Sequence, residues 1–184
     1  FTYLNLLLKS LRSTRTIYTI VAGVSFGALF YVYFFAWSFA LAFTAILLMI
    51  YLMRRDYPSA KKVALTMVLG IALGAYNIWK LFSYMSTELG RQLGYFQWSS
   101  HGRQLIFSKI GAGTLGLFAV YAVRRKGDAH VPFILALILG GLAVLNQQVV
   151  TNRFVHYGHY YWYFIVPVSI VVGFYMVQSL VKNP

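Results

Sequence analysis

The stretch IYTIVAGVSFGALFYVYFFAWSFALAFTAILLMIYLM, residues 17–53, decides the fold of this chain. It holds 37 residues without a single Asp, Glu, Lys, Arg or His. A helix needs roughly 20 residues to cross a hydrocarbon core about 30 Å thick. One straight span would be badly oversized and two short spans fit, so we expect the chain to fold back on itself near residues 35–38.

The composition indicates an integral membrane protein. Of the 184 residues 60% are hydrophobic, and the mean hydropathy is +0.67, which is more apolar than a soluble core of this size requires. The apolar runs show no alternation of apolar and polar residues, so they predict helices rather than barrel strands. The predicted fold class is all-α, a polytopic membrane helix bundle that forms a single domain over residues 1–184.

The charge is strongly positive. Sixteen Lys and Arg residues stand against Asp56, Glu88 and Asp128, for a net charge of +13. In a membrane protein such an excess marks cytoplasmic loops that face anionic lipid, so the expected partner is the lipid bilayer and not nucleic acid. Cysteine is absent, which excludes disulfides, thiolate metal sites and a thiol nucleophile.

The distribution of the cations sets the expected topology. Six helices are predicted, at about 17–35, 37–53, 63–83, 104–123, 131–150 and 161–181. With that count, eleven cations fall on the side of both chain ends and three, Arg91, Arg103 and Arg153, on the other side. A single span over 17–53 would divide them eight to six. The positive-inside rule therefore favours six spans with both ends cytoplasmic, in a bacterial or archaeal cytoplasmic membrane.

Proline, glycine and the first residues agree with this map. Pro132 lies where the fifth span begins, and Pro167 is expected to kink the sixth. Residues 1–12 have helical apolar spacing and predict an interfacial helix or the tail of a preceding span. Because the sequence begins at Phe1 rather than at Met, it fits a piece of a longer protein. Two GxxxG pairs are typical of close helix approach: Gly23 with Gly27, and Gly70 with Gly74.

Polar and charged side chains collect in two outer segments, about 84–103 and 151–160, and in the adjoining span ends. Arginine suits bidentate contact with phosphate, so an anionic lipid head or a lipid-linked phosphosugar fits this rim. The candidate residues for binding substrate or lipid phosphate are Arg91, His101, Arg103, Lys109, Asn146, Gln147, Arg153, His156 and His159.

Several of these residues have two interpretations. Asn146, roughly 6 Å short of the end of its helix, either forms an interhelical hydrogen bond or lines an outward cleft with Gln147 and Gln148. Lys109, roughly 7 Å inside the fourth span, either snorkels or faces that cleft. The tyrosines near residue 160 belong either to an interfacial aromatic belt or to a recognition surface.

The histidines and carboxylates limit the chemistry. His101, His156 and His159 could share a zinc or copper ion. However, one of the three comes from a distant loop, and Glu88 is the one carboxylate available near them. We therefore expect no metal and no other cofactor. His130 falls in a cytoplasmic loop. No span carries an Asp or Glu, so the acidic relay of proton-coupled transport is missing, and no pair of outer carboxylates completes acid–base catalysis.

Residues 146–163 contain Asn-Gln-Gln, two hydrophobic residues and Thr, followed by histidines and aromatic residues. They resemble a late outer-loop motif of polytopic bacterial proteins related to the GT-C class of membrane glycosyltransferases. The resemblance implies an all-helical enzyme that takes sugar from a polyprenyl-phosphate donor at the outer membrane face. Its catalytic Asp would lie in an early outer loop with no matching position here, so no catalytic residue is assigned. This chain would supply donor-lipid contacts through Arg153, His156 and His159.

Four functions therefore compete. They are a glycosyltransferase-like segment, a non-enzymatic membrane subunit or assembly factor, a transporter or flippase of anionic lipid, and a histidine-based metal or haem protein. The enzyme and lipid-handling functions require the candidate residues to line one outward cleft. A structural subunit predicts instead that they spread around the perimeter toward the lipid head groups.

Overall fold

The computed structural model describes residues 1–88, 97–98, 103–151, 153–154 and 157–182. Most of these residues are helical, which confirms the predicted all-helical fold; the exceptions with regular structure are two strands of two residues, β1 (Gln97–Trp98) and β2 (Arg153–Phe154). The chain packs as two compact units, unit 1 over Phe1–Gln97 and unit 2 over Trp98–Pro184. The sequence indicated one helical domain, and its packing has two parts.

The long helices among the described residues of unit 1 are α1 (Thr2–Arg12), α2 (Thr16–Val32), α3 (Phe34–Met53) and α4 (Tyr57–Met85). The apolar stretch 17–53 is thus two helices, and the break lies at Tyr33, whose φ of −158° and ψ of 125° are extended. This is slightly before the predicted 35–38. The end of α2 is held by α4, because Asn77 Nδ2 donates to the Phe30 carbonyl and the Tyr31 hydroxyl donates to the Leu73 carbonyl at 2.8 Å.

The four glycines of the two GxxxG pairs lie where α2 meets α4, and we call this contact the glycine seam. A Cβ added to Gly70 would stand 2.7 Å from Phe26 Cγ, and one added to Gly27 would stand 2.7 Å from Leu73 Cβ. Side chains do not pack that closely, so glycine is what allows these two helices to approach. The close approach predicted from the GxxxG pairs occurs between α2 and α4 themselves.

Helix α1 packs into unit 1. Tyr3 is buried, and its hydroxyl forms a hydrogen bond with the hydroxyl of Thr44 on α3. At the other end of α1, Lys62 Nζ donates to the carbonyls of Ser10 and Ser13 at 3.1 and 2.8 Å. A lysine ammonium there satisfies carbonyls that the helix end leaves unpaired. Hydrogen bonds between helices therefore tie α1 to α3 and α4.

Unit 2 contains α5 (Lys109–Arg124), α6 (Val131–Leu145), the short α7 (Gln147–Thr151) and α8 (Tyr157–Tyr160), a π-helix (Tyr161–Ile165) and α9 (Val166–Lys182). Helix α5 starts five residues later than predicted, because the Ser108 hydroxyl accepts the Gly111 N–H at 3.0 Å and caps the helix there. The π-helix lies directly before Pro167. Its wider turn suits a residue that lacks an N–H and whose ring crowds the preceding turn.

Consecutive long helices reverse direction within each unit. In unit 1, Gly23 and Gly27 of α2 face Leu69 and Leu73 of α4 in the same order, so these two helices run parallel, and α3, which connects them in the sequence, runs in the opposite direction. In unit 2, Gly111 near the start of α5 faces Leu142 near the end of α6, so these two helices are antiparallel. Helix α9 is parallel to α5.

Three helical segments among the described residues are long and apolar enough to cross a membrane: Phe34–Met53, Tyr57–Tyr84 and Gly158–Lys182. Two shorter apolar helices, Thr16–Val32 and Val131–Leu145, accompany them. These helices also leave large apolar side chains exposed, including Met49, Phe82 and Phe174, which suits contact with lipid. The chain is therefore a helical membrane protein.

Candidate functional site

The structure describes five of the nine predicted site residues with their side chains. Arg91, His101 and His156 lie outside the described residues, and Arg153 is described only as a residue of β2. The other five belong to unit 2 and are Arg103, Lys109, Asn146, Gln147 and His159. They lie at one end of this unit, where α5 starts, α6 ends and the helical segment leading into α9 starts.

Asn146 and Gln148 anchor the irregular segment 104–108 that precedes α5. Asn146 Oδ1 accepts the Ile106 N–H at 2.7 Å, and its Nδ2 donates to the Leu142 carbonyl at 3.0 Å. Gln148 is buried, and its Nε2 donates to the Gln104 carbonyl at 3.1 Å. Both carboxamides are thus used to satisfy backbone groups. The sequence left two interpretations of Asn146, an interhelical hydrogen bond or a cleft lining; in the structure its side chain instead bonds to the segment before α5 and to its own helix.

Two exposed cations flank the anchored segment. Arg103 immediately precedes it, and Lys109 is the first residue of α5 rather than a residue five positions inside a span. His159 is half-buried, and its ring lies 5.7 Å from that of Tyr163. Gln147 Oε1 accepts from the Thr151 hydroxyl at 2.8 Å. We call the two cations Arg103 and Lys109, together with His159 at the same end, the cationic end of unit 2.

Sequence reasoning missed a pocket of about 430 Å³ in unit 1. It lies at the Tyr33 break, between the end of α2, the start of α3 and the end of α4. Aromatic rings in contact line it: the Trp37 ring stacks on Phe30 at 4.8 Å between centroids and meets Phe34 edge-to-face at 5.0 Å. Asn77 and Lys80 contribute polar groups. We call this site the aromatic pocket. The signal for it was the aromatic run 30–37, which the sequence analysis treated only as apolar.

Sequence reasoning also missed a polar network around Asp128, in the loop between α5 and α6. Its carboxylate accepts from the Tyr121 hydroxyl at 2.6 Å, from the His130 N–H at 2.8 Å and from His130 Nδ1 at 2.7 Å. Burial raises the pKa of Asp128, but these hydrogen bonds and the His130 charge outweigh it, so the pKa is lowered overall. Tyr175 of α9 completes the network at 3.0 Å from His130 Nδ1.

Within the part of the chain that is described, no group of three or more His, Asp or Glu side chains is placed to hold a metal ion. Two of the histidines considered for a metal, His101 and His156, lie outside that part. His130 is spatially committed to Asp128 and Tyr175. The hypothesis that His101, His156 and His159 share a metal ion therefore stays a prediction.

Comparison with known proteins yields no relative of this chain: no protein-family model, no curated protein and no solved structure matches it. The resemblance of residues 146–163 to GT-C proteins therefore rests on those residues alone. Function has to be argued from the geometry of the two units.

Proposed function

We propose that this chain crosses the cytoplasmic membrane six times, with both of its ends on the cytoplasmic side. In this proposal it belongs to a GT-C-like glycosyltransferase that uses a polyprenyl-phosphate-linked sugar at the outer face. The reversal of consecutive long helices within each unit supports the topology, because it places successive loops of that unit on alternating sides. The cation distribution supports its orientation.

The cationic end of unit 2 carries the functional part of the proposal. Asn146 and Gln148 fix the backbone of 104–108, and this holds Arg103 and Lys109 at the same end of the unit. Both cations are exposed, and Asp128, the sole acidic residue of the sequence after Glu88, lies at the opposite end of α5. Within unit 2, an anionic head group at this end would meet positive charge without a competing carboxylate.

The acidic residues support placing the catalytic carboxylate outside this chain. Asp56 caps α4 by accepting the Ser59 N–H at 3.2 Å. Asp128 holds the polar network described above. Glu88 alone remains on the proposed outer side, and one carboxylate does not supply the paired groups of acid–base catalysis. The chain's own contribution is then the binding of the donor lipid, for which the resemblance to GT-C proteins also implies contacts through Arg153 and His156.

The test is binding of a polyprenyl monophosphate to the purified chain reconstituted in phosphatidylcholine vesicles. Arg103→Gln and Lys109→Gln should each weaken binding about tenfold or more, since a charge-assisted hydrogen bond contributes about 1.5–3 kcal/mol and about 1.4 kcal/mol is a factor of ten.

Lys126→Gln is the matched control, because it removes the same charge from an exposed residue beyond the other end of α5. It should leave the affinity unchanged. Equal losses in all three variants would show that only net charge matters, and no loss in any of them would remove the proposed site.

A second function, a non-enzymatic membrane subunit, is favoured by one observation. Asn146 and Gln148 hydrogen-bond to the chain's own backbone rather than facing a cleft. A structural role predicts that Asn146→Ala loosens the 104–108 segment. It also predicts that Lys109→Gln does not weaken polyprenyl-phosphate binding. A transporter of anionic lipid would also need Lys109 to bind the lipid head group. Measured movement of the lipid between the two leaflets would distinguish transport from binding alone.

A further inference from the structure

We infer that the aromatic pocket of unit 1 is a binding site for an anionic phospholipid. The lipid phosphate lies beside Lys80, and the part of an acyl chain nearest the head group packs on Trp37, Phe34 and Tyr84. This site is separate in sequence from the cationic end of unit 2. The inference does not depend on glycosyl transfer, and either proposal can fail alone.

The size and walls of the pocket suit one lipid chain near its head group. A volume of about 430 Å³ lies within the usual range for small-molecule sites, roughly 300–1,000 Å³. Most of its lining is aromatic or aliphatic. Trp37 is held in place because its ring stacks on Phe30 and makes an edge-to-face contact with Phe34. Rigid aromatic walls give large contact area to a hydrocarbon chain at small entropic cost.

The charge at the pocket selects an anionic head group. Lys80 is the one charged residue among the described residues that line it, and none of them is acidic. Helix α3 begins at Phe34 on the pocket wall, so the positive end of its helix dipole adds to the Lys80 charge. A zwitterionic or neutral head would gain less from both features.

The surroundings place the pocket at the depth of lipid head groups. Trp79 and Phe82, beside Lys80 on α4, are each more than 60% exposed, as expected for an interfacial aromatic belt. Lys80 Nζ lies 5.8 Å from the centre of the Tyr76 ring, a cation–π contact that holds the ammonium near the pocket mouth. Snorkelling alone would explain an exposed Lys80, but not a cavity beside it.

Tryptophan fluorescence tests the inference on the full chain. A variant with Trp79→Phe, Trp98→Phe and Trp162→Phe retains Trp37 as its single tryptophan. In vesicles, dibromo-phosphatidylglycerol should quench Trp37 about fivefold more strongly than dibromo-phosphatidylcholine, since one lysine near the surface gives about 1 kcal/mol of preference for anionic lipid. Inorganic phosphate should leave the fluorescence unchanged, because it lacks the hydrocarbon chain.

Lys80→Gln should abolish the preference for the anionic lipid, whereas Lys61→Gln, an exposed lysine near the other end of α4, should preserve it. Equal quenching by both lipids, or a preference that survives Lys80→Gln, would overturn the inference.

A second measurement covers the case in which the single-tryptophan variant does not fold. The chain with its natural tryptophans should retain phosphatidylglycerol through detergent purification, as measured by mass spectrometry of the bound lipid, and Lys80→Gln should lose it. Equal retention would overturn the inference. If Lys80→Gln loses phosphatidylglycerol but still binds polyprenyl phosphate normally through Lys109, the two proposed sites are separate and both proposals stand.

Discussion

Asp128 holds together three parts of unit 2. Its carboxylate receives hydrogen bonds from α5 through Tyr121 and from the start of α6 through His130, and His130 in turn contacts Tyr175 of α9. Tyr121 is fully buried. A carboxylate at the edge of a membrane bundle is retained at low cost when it is saturated with donors in this way.

Asp128→Asn should lower the free energy of unfolding at pH 7 by about 2 kcal/mol, because hydrogen bonds to a charged acceptor are exchanged for weaker ones. The folded pKa of Asp128 lies below its ordinary value of 3.8, so its stabilising charge is present above about that pH. The stabilisation is lost as the pH falls through the folded pKa. Thermal unfolding of both proteins between pH 7 and pH 3 measures the difference.

Tyr121→Phe is the companion variant, since it removes one donor and keeps the acid. Its deficit should persist at pH 7 and be smaller than that of Asp128→Asn. A pH-independent gap between the native protein and Asp128→Asn would show that the charge of Asp128 does not contribute.

Single residues were predictable where one physical requirement dominates. The hydrogen-bonding need of Asn146 near a membrane was recognised from the sequence, and the structure shows how it is met. The Lys109 position was not, because its depth depended on a helix start that Ser108 and the anchored 104–108 segment move by five residues. The Asp128 network was not foreseen, because it requires α9 to pass beside a loop some 50 residues earlier in the sequence.

Among the helices, the glycine seam gives the sharpest expectation. Gly70→Ala should destabilise unit 1 by about 1–3 kcal/mol, since the added methyl group would meet the buried ring of Phe26. Thermal unfolding of the purified protein in detergent measures this cost.

Gly113→Ala and Gly116→Ala are the matched controls, because a Cβ at either position of α5 meets nothing within 4 Å. They should be neutral or stabilising by up to about 1 kcal/mol through helix propensity. If Gly70→Ala were as harmless as these two, the seam would not depend on the absence of a side chain.

The apolar runs of the sequence were enough to predict which segments form helices. Where those helices end is instead determined by tertiary contacts. The split of residues 17–53 was required by length alone, but the break falls at Tyr33 because Asn77 and Tyr31 bind α2 to α4 at that level. Likewise α6 ends at Leu145, where Asn146 turns its side chain to neighbouring backbone. Such long-range hydrogen bonds leave no periodic signal in the sequence.

At the scale of the whole molecule, the absence of cysteine from these 184 residues makes the orientation directly testable. Arg103→Cys should react with a membrane-impermeant maleimide on intact cells, whereas Lys126→Cys should react only after permeabilisation. Both positions are exposed and lie beyond opposite ends of α5. The cysteine-free parent provides the background. Labelling of Lys126→Cys on intact cells would reverse the proposed orientation, and labelling of both would exclude α5 as a span.

The glycine seam has a consequence for biosynthesis. Helix α2 ends at Val32 and α4 ends at Met85. At a translation rate of about 5–20 residues per second, α4 is therefore completed roughly 3–10 s after α2. During that interval the face of α2 that carries Gly23 and Gly27 cannot yet pack against α4. A nascent chain of this protein therefore presents the insertion machinery with an unfinished groove, and its correct assembly requires that nothing else occupy that groove first.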